Sequence, residues 1–412
     1  MSRFPLAASA VALALPAALP AWSGTDADLA EIRIQIQQLK SQYESRIRAL
    51  EDRLKDAEAA AQAPAPAKAS SSASLSAFNP AISAILGGTY SRLTRDPAGF
   101  GIAGFPAGGE TGPGKRGFNL GESELVLSAN ADPHFAGKLT LAFTPENEIA
   151  VEEAYGQWVT APFGLSPKFG RFLSGVGYLN EQHAHAWDFV DAPLAYQAFL
   201  GGQYANDGVQ VRWLAPTEHF LELGAELGNG GNFPGTERGV NGAGSGAIHA
   251  HSGGDIGNDH GWRAGVSWLR TRAVDREGFS GKSGTAIADF VWKYAPNGNS
   301  RDTSFKLQGE YFQRRERGDT DASLDARASG WYLQGVYQFL PEWRVGARYD
   351  RLDPGLIDFR PKRSSLMVDY NPSEFSRIRL QFARSQTQPG AADNEVFLQY
   401  ILSLGAHGAH KY

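Results

Sequence analysis

Residues 331–354, WYLQGVYQFLPEWRVGARYDRLDP, decide the fold. Trp331, Leu333, Gly335, Tyr337 and Phe339 alternate with Tyr332, Gln334 and Gln338. After Pro341-Glu342, Val345, Ala347 and Tyr349 alternate with Arg344, Arg348 and Asp350. A period of two sends the two sets to opposite faces of a strand. Pro341-Glu342 leaves room only for a tight turn, so the stretch reads as a hairpin of two long strands. The same alternation recurs outward from it. It covers Phe135–Phe143, Val209–Trp213, Leu221–Leu227, Phe305–Tyr311 and Ile378–Phe382, and it continues from Val396 to Leu404.

A soluble sandwich also alternates, but three features point to a membrane barrel. The apolar segments run to about ten residues, the length of a tilted crossing. Aromatic residues stand at segment ends (Trp213, Trp262, Trp292, Trp343, Tyr349), as in interfacial girdles. Connections are of two kinds. Those at 132–134, 216–218, 341–342 and 372–374 are tight, whereas 93–118, 173–206, 229–259 and 317–327 read as long. The expected fold is an all-β transmembrane antiparallel β-barrel of about 16 strands, range about 14–18, with one strand hidden within 229–284.

The N-terminal part has a different character. Arg3 and the apolar run 4–19 read as a signal peptide over residues 1–21. Leu29, Ile32, Ile36, Leu39, Tyr43, Ile47, Leu50, Leu54 and Ala57 keep a heptad spacing with one stutter, which predicts a short periplasmic α-helical coiled coil over 26–60. An Ala/Pro/Ser linker fills 61–78, and the barrel occupies 79–412. A stripe of this kind buries against copies of itself, so a homotrimer is expected.

The 412 residues include 48 glycines and no cysteine, at a formal net charge of −5. There is no thiolate metal site and no basic surface for nucleic acid. The glycine-rich pieces lack a following Gly-Lys-Ser/Thr, and no Gly-x-Ser-x-Gly elbow occurs, so no enzyme is expected.

Residues 173–206 form a connection too long and too aromatic to lie in water, and are expected to fold into the lumen as the third external loop. The acids Glu181, Asp188 and Asp191 on it would face a basic wall of Arg344, Arg348, Arg377 and Arg379, extended by Arg263 and Lys306. Acid facing base holds a field across a pore, and these residues are the candidate pore lining. Two His-x-His pairs occur, His183/His185 and His249/His251. Either is a half-site for zinc, and His183 with His185 is the metal pair marked first. No resident cofactor other than zinc is suggested.

The stretches FNPAISAILGGTYSR (78–92), GFNLGESELVLSAN (117–130), GRFLSGVGYLNEQHAHAWDFVDAPLAYQAFLGGQY (170–204) and 331–354 resemble the phosphate-selective porin (O/P-type) superfamily. They are also similar to proteins labelled zinc-regulated TonB-dependent outer membrane receptors. The order coil, linker, barrel resembles trimeric outer-membrane porins. The resemblance implies a channel in the bacterial outer membrane, contacting lipid and passing small hydrophilic solutes by diffusion, and the basic wall would favour anions. The alternatives are a receptor or channel for zinc uptake and an outer-membrane hydrolase.

Overall fold

The structure is a computed structural model that describes residues 80–405, apart from 110, 146–147, 240 and 321–322. The expected signal peptide, coil and linker, and the terminal Tyr412, lie outside the described residues.

Seventeen strand segments form one antiparallel sheet. They are β1 (Ala81–Leu93), β2 (Gly117–Leu120), β3 (Ser123–Asn130), β4 (Phe135–Phe143), β5 (Ile149–Trp158), β6 (Leu165–Leu173), β7 (Ala205–Leu214), β8 (Phe220–Gly228) and β9 (Ser245–Ile256). Then follow β10 (His260–Arg276), β11 (Phe279–Tyr294), β12 (Ser304–Asp319), β13 (Ser323–Leu340), β14 (Trp343–Asp353), β15 (Lys362–Ser373), β16 (Ser376–Gln386) and β17 (Asp393–Gly405). Every consecutive pair from β3 onward is hydrogen-bonded, and β1 closes the sheet by pairing with β17 on one side and with β2 and β3 on the other. β2 and β3 are one stave broken at Gly121-Glu122, so the barrel has 16 strands. The break depends on two glycines: a Cβ on Gly87 would stand 2.4 Å from the Glu122 carbonyl oxygen, and one on Gly121 would stand 2.9 Å from the Gly87 carbonyl carbon.

Parity fixes the two faces. On β16, Ile378, Leu380 and Phe382 are 46%, 36% and 51% exposed, while Arg379 and Gln381 are fully buried inside. An outward row of Leu, Val, Ile and aromatic side chains around a polar interior suits lipid outside and water within. Outward aromatics pair across strands near the turns, Phe135 with Trp158 at 6.2 Å and Trp343 with Tyr370 at 4.8 Å. Trp331 with Tyr349, 5.6 Å apart, lies nearer the loops. Among the described residues no helix is long and apolar enough to cross a membrane.

Two expected connections are corrected. Residues 229–259 are not one loop, because β9 occupies Ser245–Ile256. This is the hidden strand. Its sequence SGAIHAHSGGDI has glycine and histidine where a strand reader expects branched residues. Residues 317–327 are not a long loop either, because β12 runs to Asp319 and β13 begins at Ser323. Beyond Phe312 both faces are polar to the end of β12, which reads as solvated chain. The strands continue because outward charges pair across them: Arg315 donates to Asp325 at 2.7 Å, and Arg317 lies 3.4 Å from it.

Candidate functional site

The connection between β6 and β7, residues 174–204, folds into the barrel. Its second half holds a short helix, α1 (Leu194–Leu200), whose seven residues are all buried. Leu194, Tyr196, Phe199 and Leu200 pack with Phe312, Tyr332 and Leu352 of the wall and with Phe105 of the first loop. Each buried side chain of this size contributes roughly 1.5–3 kcal/mol, which holds an aromatic loop out of water. Asp350 accepts from the Leu194 N–H at the helix start, 2.9 Å away. Arg314 donates to the Ala198 carbonyl near its end and lies over the Phe199 ring.

Glu310 is a wall residue that composition did not single out as an anchor. It accepts from the N–H groups of Tyr178 and Leu179, both at 3.1 Å, and from the hydroxyls of Tyr196 and Tyr332 at 2.9 and 2.7 Å. A lone acid in an alternating strand carries no such signal. Three of its four donors come from the loop, more than 110 residues away, and the fourth is Tyr332, directly opposite on β13.

The arginines and the loop acids do meet. Asp188 faces Lys306 and Arg344, the latter at 3.4 Å. Asp191 faces Arg348 at 2.8 Å and Arg363 at 2.9 Å, and accepts from Gln381 at 2.7 Å. Arg379 is bidentate on Asp369, at 2.7 and 3.0 Å, and Arg344 binds the same carboxylate. Arg377 donates to the carbonyls of His185 and Trp187, each at 3.3 Å. Arg348, Arg363 and Arg379 are almost wholly buried, whereas Arg344 and Arg377 keep about a fifth of their side chains open. The basic wall is therefore a clamp on the loop more than an open lining. In Asp188, burial favours the neutral acid, but Lys306 and Arg344 outweigh it and hold the carboxyl well below the usual range.

Glu181 is placed apart from this wall. It pairs with Arg212 of β7, across the lumen, because the loop turns before Asp188. Arg263 is also on that side, over the Tyr178 ring at 5.2 Å.

His183 and His185 sit in a third cluster. A β-bulge between β4 and β5 turns both Glu152 and Glu153 inward. They contact His183 Nδ1 and Nε2, each at 3.0 Å. Glu124 contacts His185 Nδ1 at 2.8 Å, Glu122 accepts from the Ala184 N–H at 3.1 Å, and Lys138 pairs with Glu153. Burial lowers the His183 pKa, but the hydrogen bonds to Glu152 and Glu153 override it and carry it up to about 10. His183 is thus a buried imidazolium that anchors the loop. Glu122, Glu124, Glu152 and His183 also have the spacing to hold a metal ion, as do Glu222, His249 and His251.

Between loop and wall, cavities remain toward the turn end. One, of about 440 Å³, is bordered by Tyr178, Glu181, Arg212, Glu222 and Arg263. Another, of about 490 Å³, is bordered by Asp188, Asp255, Asp259, Lys293, Lys306 and Arg344.

This barrel is similar to several solved outer-membrane proteins. The anion-selective porin from Comamonas acidovorans superposes with a TM-score of 0.55 at 14% identity, over 79% of this chain and 99% of that one. The outer membrane channel DcaP of Acinetobacter baumannii gives 0.54 at 12% identity, over 80% and 98%. OmpTdeltaL8, a loop deletion mutant of OmpT of Vibrio cholerae, gives 0.54 at 13%, over 80% and 100%. At such identities the likeness establishes the fold, a porin-type barrel. No protein-family model matches the sequence. A protein of Aquifex aeolicus (strain VF5), named "Uncharacterized protein", is 33% identical over 340 residues, spanning 72% of this chain and 71% of its own length. The chain belongs to the family of that Aquifex aeolicus protein.

Proposed function

We propose that the chain is a bacterial outer-membrane channel through which small hydrophilic solutes diffuse passively, with anions favoured. Three copies would assemble, joined in the periplasm by the coil at 26–60. The observation that carries this reading is the loop at 174–204, which narrows a polar lumen without filling it. On its β12–β16 side, Lys306, Arg344, Arg377 and Arg379 pair with Asp188 and Asp369, four cations on two acids. The loop itself has no Lys or Arg, so a phosphate-type anion would meet the wall, at Lys306 and Arg344, and not the loop. Likeness to an anion-selective porin supports the same direction.

The test is single-channel recording in a planar bilayer under a KCl gradient. Stepwise openings with a reversal potential on the anion side are expected. No openings from folded, inserted protein would end the channel reading, and a cation-side potential would end the anion preference.

A further inference from the structure

Across the lumen from the arginines, the wall holds a second constellation. His249 and His251 are alternate residues of β9, so both point inward. Their rings stack 5.0 Å apart, and the residues are 4% and 0% exposed. Glu222 of β8 reaches both: its Oε1 lies 3.9 Å from His249 Nε2 and 3.5 Å from His251 Nδ1. Each ring turns its other nitrogen to a separate carboxylate, His249 Nδ1 to Glu226 and His251 Nε2 to Asp289, both at 4.0 Å.

At 3.9–4.0 Å these are not hydrogen bonds. Both nitrogens of His249, Nε2 of His251 and both carboxylate oxygens of Asp289 are buried without a hydrogen-bond partner. Groups of this kind are costly to leave buried and unsatisfied. Yet the backbone makes room for them. A Cβ on Gly224 would fall 2.0 Å from His249 Nε2, one on Gly175 would fall 2.4 Å from His249 Cε1, and one on Gly265 would fall 2.3 Å from Asp289 and 2.4 Å from His251.

We propose that Glu222, His249 and His251 bind a divalent transition-metal ion of the zinc class. Ligands about 2.0–2.1 Å from a tetrahedral ion stand roughly 3.3–3.4 Å from one another, so the observed separations close with small side-chain movements. Two imidazoles and a carboxylate are the ligands such an ion takes, with water in the fourth position. The outer carboxylates then have a role. A metal-bound imidazole donates its remaining N–H, and Glu226 and Asp289 are the acceptors already aimed at those nitrogens. Glu181, Glu222, Glu226 and Asp289 outnumber Arg212 and Arg263 nearby, which favours a cation. Glu222 borders the 440 Å³ cavity, which gives the ion a way in. His183, by contrast, has each ring nitrogen against a carboxylate.

The test uses the full chain without an affinity tag, stripped with EDTA and titrated with Zn²⁺ by calorimetry and with Co²⁺ by visible spectroscopy. A single Zn²⁺ per chain and a Co²⁺ spectrum of four-coordinate nitrogen/oxygen type are expected. His251→Gln and Glu222→Gln should each weaken Zn²⁺ binding by about 100-fold or more, and Asp289→Asn by about 10-fold. His183→Gln and the pair His407→Gln/His410→Gln should leave it unchanged. Heat-modifiable gel migration shows whether each variant is folded. Should His251→Gln not fold, Glu222→Gln decides, since that side chain is partly open to the cavity. Absence of Zn²⁺ binding by the native chain overturns the proposal, as does binding that survives Glu222→Gln or is lost in His183→Gln. The titration is independent of conductance, so it stands whatever the bilayer recordings give.

Discussion

Asp188→Asn is the sharpest probe of how the loop is held. The Asp188 side chain is 5% exposed, and its partners Lys306 and Arg344 are 22% and 19% exposed. Truncating one partner of a fully buried pair costs about 3–5 kcal/mol. Here both cations keep some contact with water, and Arg344 retains Asp369, so the expected loss is about 2–3 kcal/mol. The fixed charge changes as well: four cations that faced two acids now face one. Two readings should move together. The urea midpoint of the refolded barrel should fall, and the reversal potential should shift further toward anions. Chymotrypsin, which cuts beside Trp187 and Phe189, should report loosening of this part of the loop. An unchanged midpoint and an unchanged reversal potential would refute the reasoning, for Asp188 would then be neither a tether nor part of the ion path.

Other outcomes follow from the same geometry. Deleting 181–199 should raise single-channel conductance and weaken size exclusion, and unchanged conductance would mean that solutes bypass the loop. Leu380→Arg, on the outward face, should cost roughly 2–4 kcal/mol in lipid unfolding experiments. The His183 anchor has a defined pH window. Its pKa rises from 6.5 to about 10 on folding, so its stabilisation is complete below about pH 6.5 and is lost as pH climbs through about 10. Current fluctuations should increase over that range in the native channel and be pH-insensitive in His183→Gln. Ile36→Asp with Leu50→Asp should leave the barrel inserted but loosen the oligomer on semi-native gels.

Period-two alternation is enough to read most of the strands and their facing, because parity is a local property, and the length and aromatic content of 173–206 mark the inward loop. What lay out of reach depends on tertiary neighbours. β9 was hidden since its inward positions hold His249 and His251 and it carries glycines where branched residues would mark a strand. Of the arginines read as pore lining, Arg344 and Arg348 meet the loop acids, Arg379 is held by Asp369 of β15 and Arg377 by loop carbonyls, while Glu181 pairs with Arg212 instead. Gln381 shows the limit well. Its inward parity suggests a site that tolerates Arg at little cost. In the structure it accepts from the Val190 N–H at 2.8 Å and donates to Asp191, so Arg there would displace the loop. No single-strand pattern encodes a partner 191 residues away.

That separation also sets an order of events. The loop's partners arrive late in the chain: Glu310 lies 114 residues after Tyr196, Arg344 156 after Asp188, and Gln381 191 after Val190. Contacts so distant form only after the long intervening segment is in place. The docking surface for the second half of the loop is the wall from β12 to β16, which is complete only when the sheet is nearly closed. The part of the restriction that this wall holds can therefore take its final place only once those late strands are present.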